Sequence, residues 1–121
     1  MAQAAMLPAE PVLEASAIDR DHLKQMTFGD RGLERELLQL FDRQAEVLLT
    51  RMRAGEAAVL ATLAHTLKGS ALGIGATEVA HSAAATEAAA AGSPAQRDAA
   101  LDDLAAAIDV VRVEIAALLR A

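Results

Sequence analysis

His65, Lys68 and Gly69 stand within about one helical turn of each other in the stretch LAHTLKGSALGIGA, Leu63 to Ala76. Each residue type brings something different. An imidazole is largely unprotonated near neutral pH, and its free ring nitrogen is then a competent nucleophile. An ammonium group beside it suits an anion held on the ring. A glycine inside a helix costs about 1 kcal/mol relative to alanine, so its presence points to a need for space, here for the backbone or a bulky group of another molecule. Together the three make chemical sense as a reversible phosphoryl-carrying site.

Orientation bears on that reading. At about 100° per residue, Leu60, Leu63, Leu67, Ala71 and Ile74 fall within one sector of roughly 80°. His65 lies opposite, which argues against a core histidine and leaves an inert surface residue or a functional one. Residues three and four apart share a face, so Ala61, Lys68, Gly69 and Leu72 surround His65. Leu72 is apolar on a face that ought to be polar, which marks a docking surface.

The elements that must hold this stretch are punctuated by Gly and Pro. A short helix is expected over Ala17 to Met26, with Ile18, Leu23 and Met26 covering one end of the core. TFGD breaks it, and Asp30 is placed to cap a long amphipathic helix from Arg31 to Ala54, whose apolar positions are Leu33, Leu37, Leu40, Phe41, Val47, Leu48 and Met52. The next helix runs from Glu56 to about Ile74, with Gly75 as its stop. A fourth spans Ala76 to Ala91. Ser93 can cap a last helix with Pro94 in its first turn, and Leu101, Leu104, Ile108, Val111, Ile115 and Leu118 then alternate in steps of three and four. Short loops between long amphipathic helices predict an all-α fold, an up-and-down antiparallel four-helix bundle with a short extra N-terminal helix. Residues 1–16 are expected to be a flexible segment and residues 17–121 the domain.

Composition narrows the function classes. The 121 residues are 54% hydrophobic with only two aromatics, Phe28 and Phe41, so the core must be built from aliphatic side chains and much alanine. A net charge of −6 works against binding nucleic acid, and the absence of cysteine removes disulfides and thiolates. The N-terminal residues lack the basic region of a secretory signal, and no uninterrupted apolar run reaches the roughly 20 residues that span a bilayer. The expected setting is cytoplasmic, with no membrane partner. His81, opposite the apolar face of its helix and without ligands at metal spacing, reads as an exposed inert histidine, and His22 receives no role. The interleaved charges of GDRGLERELLQLFDRQ read as a solvated face.

The segment AHTLKGSALGIGA, Ala64 to Ala76, resembles the signature of histidine-containing phosphotransfer (HPt) domains of two-component phosphorelays: His-x-x-Lys-Gly-Ser, then a glycine ten residues after the histidine. The match rests on His65, Lys68, Gly69, Ser70, Gly75 and Ala76, and the helix layout extends it over most of Ala17 to Leu119. The resemblance implies a carrier, not an enzyme, whose histidine takes a phosphoryl group from a receiver-domain aspartate and passes it to another. His65 would then be the phosphoacceptor through the ring nitrogen farther from the backbone. Lys68 would stabilise the phosphoryl charge, Gly69 would admit the receiver, and Ser70 would hydrogen-bond locally or with the partner.

Family members often carry a Glu or Gln about one helix further on that holds the other ring nitrogen, and Glu87 occupies that place. It falls on the apolar side of its helix with Ala76, Val79, Ala80 and Ala83, where an unpaired carboxylate would be costly, so it wants a partner; snorkelling to water is the alternative. Thr86 departs from the large apolar residue usual before this acid, which suggests a closer helix pair. The implied partners are response-regulator receivers and a sensor histidine kinase, which would supply the remaining catalytic groups and Mg²⁺; the chain itself is expected to use no cofactor and to be a monomer. Met1 and the loose N-terminal segment favour a free-standing carrier. Two other classes compete. An autonomous kinase or phosphatase would need a glycine-rich nucleotide loop and a carboxylate cluster for Mg²⁺, which the chain lacks. A helical adaptor without phosphotransfer is disfavoured by the presence of both His65 and Lys68.

Overall fold

A computed structural model describes residues 16–121. The flexible segment expected over residues 1–16 therefore lies, but for Ser16, outside the described residues. Those described are all-helical, with five helices and no strand: α1 (Arg20–Met26), α2 (Arg31–Ala54), α3 (Ala57–Ile74), α4 (Thr77–Ala89) and α5 (Pro94–Arg120).

The helix ends follow the capping chemistry. Asp30 accepts a hydrogen bond from the Leu33 amide at 3.0 Å. Ser93 and Gln96 form a reciprocal capping box, with Pro94 in the first turn of α5. Gly75 ends α3 in the left-handed conformation, φ 78°, with its amide donating to the Leu72 carbonyl at 3.2 Å. Its carbonyl accepts from the Asp19 amide at 2.8 Å, which ties the start of α1 to the end of α3. A Cβ at residue 75 would come within 2.7 Å of the Asp19 carbonyl oxygen, so both φ and space call for glycine here.

The short first helix ends at Met26 as expected but starts later, and Met26 does not cover the core. Asp19 caps it by accepting from the His22 amide, so it begins at Arg20 rather than Ala17, and Ile18 is buried ahead of it. Met26 is half exposed. Thr27, one turn beyond the buried Leu23, takes the inner place and satisfies its hydroxyl on the Leu23 carbonyl at 2.9 Å.

In α2 the buried stripe is Leu38, Phe41, Ala45, Leu48 and Met52. Of the other apolar positions that recur at helical spacing, Leu33, Leu40 and Val47 are exposed, and Leu37 only packs against the edge of the core. The buried five step by three and four; the displaced leucines form a second stripe beside the first. Leu37, Leu40 and Phe41 line a groove of about 220 Å³ with Met26, Ser70 and Gly73.

The α3 face of Leu60, Leu63, Leu67, Ala71 and Ile74 is buried, as is the α5 seam from Leu101 through Ile115, with Leu118 partly covered. The main contacts run α2 to α3, α3 to α4, α4 to α5 and α5 back to α2, while α1 packs on α3. Arg112 of α5 donates to Asp42 of α2 at 2.7 Å and approaches Glu46 at 3.7 Å. The hydrogen bond to Asp42 holds the guanidinium pKa above its ordinary value. By length and hydropathy alone α3 is apolar enough to cross a membrane, yet one of its faces is the core and the other carries His65 and Lys68.

Candidate functional site

Small residues bring α4 close to α3. Ala64 and Ala71 on α3, and Ala80 and Ala83 on α4, are all buried, and these two helices share the most extensive helix-helix contact among the described residues. Thr86 belongs to the same buried set. Its hydroxyl lies 2.9 Å from the Ser82 carbonyl and 3.4 Å from the Ala100 carbonyl on α5, so a polar side chain is satisfied where an apolar one is usual.

The next residue, Glu87, stands at the edge of this contact and meets α3. Its Oε2 lies 3.2 Å from His65 Nδ1, and its Oε1 lies 3.3 Å from the same nitrogen and 3.7 Å from Lys68 Nζ. The carboxylate that the apolar face of α4 left wanting a partner thus has two. A carboxylate accepts hydrogen bonds, so a neutral imidazole in this contact has its N–H at Nδ1 and its lone pair on Nε2. The His65 side chain is 65% exposed.

His65, Thr66, Thr62, Ala61 and Glu87 line an open concavity of about 370 Å³. Thr62 and Thr66 did not figure in the sequence reading, although Thr62 is three residues before His65 and shares its face by the rule that placed Lys68. The contact between Lys68 and Glu87 was likewise missed. It depends on how two helices meet, which spacing along one helix does not specify.

Gly69 is exposed, and a Cβ there would meet nothing within 4 Å; the same holds for Gly73, one turn on. Packing within the chain therefore does not require either glycine. Leu72 is 53% exposed on the same side as His65. Ser70 is set apart from the cluster and lines the groove between α1, α2 and α3. His81 is exposed on α4, and among the described residues no three potential ligands gather as a metal site.

The Hpt domain family model matches residues 36–121, from the second turn of α2 to the end of α5. The chain belongs to the Hpt-domain family. Its role is accordingly phosphotransfer in two-component signalling, as a phosphocarrier and not a conventional enzyme, in a family that interacts with receiver domains and histidine kinases. The match encloses His65, Lys68 and Glu87. No curated protein matches the chain significantly.

Proposed function

We propose that the chain carries a phosphoryl group on Nε2 of His65 between receiver-domain aspartates of a phosphorelay. The observation that carries this reading is the contact of Nδ1 with Glu87, which leaves the other ring nitrogen unprotonated on an exposed side chain. In transfer, the Nε2 lone pair attacks phosphorus, and the bond to the aspartyl oxygen breaks with its electron pair leaving on the carboxylate. Glu87 fixes the tautomer. Lys68 offsets the phosphoryl charge, and Gly69 lets the receiver approach. Ser70 contributes from the neighbouring groove by hydrogen bonding locally or to the bound receiver. The receiver or kinase supplies Mg²⁺ and its ligands. Residues 17–121 act as the functional unit, a monomer in the cytoplasm, with the four long helices arranged up and down.

Incubating the protein with a phosphorylated receiver tests this. Acid-labile, base-stable label moving onto the chain is the expected result, and label that remains on the receiver or is lost to water contradicts it.

A further inference from the structure

One carboxylate on α4 serves two side chains on α3. The Glu87 contact to Lys68, at 3.7 Å, is longer than a hydrogen bond and joins two side chains that are each about one-third exposed, 32% and 35%. It is an ion pair that solvent and competing charge can open with little resistance. The contacts to His65, at 3.2 and 3.3 Å, are the shorter ones.

A charge count shows what phosphorylation does to this arrangement. In the resting chain the neutral imidazole, the carboxylate and the ammonium sum to zero, and Lys68 is the cation that balances Glu87. When Nε2 bonds to phosphorus, Nδ1 retains its proton, so the ring becomes a cation beside Glu87. A phosphoryl group with close to two negative charges now sits on the opposite nitrogen. Glu87 then has its counter-charge in the ring itself, and the strongest attraction on Lys68 comes from the phosphoryl oxygens.

Resting on the assignment of His65 as the acceptor, we propose that Glu87 parks Lys68 in the unphosphorylated chain and hands it to the phosphoryl group as the Nε2–P bond forms. Glu87 is on this account a positioning residue for the lysine as well as for the imidazole. The handover reverses when the phosphoryl group leaves: the ring loses its charge, and the carboxylate reclaims the ammonium.

The 121 residues include only two lysines, Lys24 and Lys68, so the ε-methylene resonances of the ¹³C-labelled chain offer one reporter and one internal control. Phosphoramidate serves as the phosphoryl donor; its P–N bond breaks and ammonia leaves. Glu87→Gln keeps an oxygen acceptor for Nδ1 but removes the negative charge. In the free protein this substitution is expected to shift the Lys68 resonance and leave Lys24 in place. Loading the wild type is expected to move the Lys68 resonance to the position it takes in the loaded Glu87→Gln protein, because neither then has Lys68 on residue 87. A Lys68 resonance indifferent to Glu87→Gln in the free chain overturns the proposal, as does one that stays put while ³¹P spectra report phosphohistidine at His65. Absence of phosphohistidine with both phosphoramidate and a phosphorylated receiver removes the acceptor assignment itself, and the handover with it.

Discussion

Nδ1 of His65 on α3 lies 3.2 Å from Oε2 of Glu87 on α4, across 22 residues of chain. The relationship fixes which ring nitrogen faces out. It also explains why an acid can stand at the margin of an alanine-rich helix face: the imidazole of His65 and the ammonium group of Lys68 beside it give the carboxylate partners.

Lys68 separates a phosphoryl carrier from a merely exposed histidine. A lysine one turn from a doubly charged phosphoryl group in water-like surroundings contributes on the order of 1 kcal/mol. Lys68→Ala should slow loading of His65 or shorten the phosphohistidine lifetime by several-fold, with the melting temperature little changed. Added salt should shrink the difference from wild type, because the interaction is screened. Equal loading rates and equal lifetimes at low salt would reduce Lys68 to ordinary surface charge.

At Gly69 the proposed access for a receiver and the stability of the helix make opposite demands. Beyond its chain neighbours and the backbone of its own helix, nothing lies within 4 Å of a Cβ built there, so Gly69→Ala introduces no clash and should raise stability by up to about 1 kcal/mol. Transfer from a receiver should nevertheless slow, and slow further with Gly69→Leu. Receiver kinetics for the two variants, set beside their melting curves, measure the two effects separately; an undiminished rate with leucine removes the argument from access.

Gly75 has the opposite character. Its φ of 78° and the 2.7 Å approach of a Cβ to the Asp19 carbonyl both penalise a side chain. Gly75→Ala should lower stability by roughly 1–3 kcal/mol in chemical denaturation and loosen the junction of α1 with α3, seen as faster amide exchange at Asp19. Unchanged stability would mean that the junction relaxes without penalty.

Where a single apolar sector dominates a helix, periodicity was enough to identify its buried face. Leu60, Leu63, Leu67, Ala71 and Ile74 on α3 left no alternative, and the exposure of His65 followed from them. The α2 helix carries two overlapping stripes. Its leucines at 33, 37 and 40 compete with Leu38 and the small Ala45, and only the packing of α3 and α5 decides that Leu38 and Ala45 go inside. The site was legible to the same extent. Lys68 and Gly69 neighbour His65 along one helix, whereas the meeting of Glu87 with Lys68 depends on the distance between two helices, set by alanines whose size matters more than their hydropathy. Ser70 is adjacent to Gly69 in sequence, but the helical twist carries it to another groove.

The most direct measurement compares the wild type with His65→Gln after exposure to a phosphorylated receiver, with the labelled residue mapped in each. His65 is the expected sole site, so the variant should keep its helical circular dichroism and melting temperature yet acquire no label. Label persisting in the folded variant, on His81, His22 or any other residue, would contradict the assignment of His65 as the phosphoryl carrier.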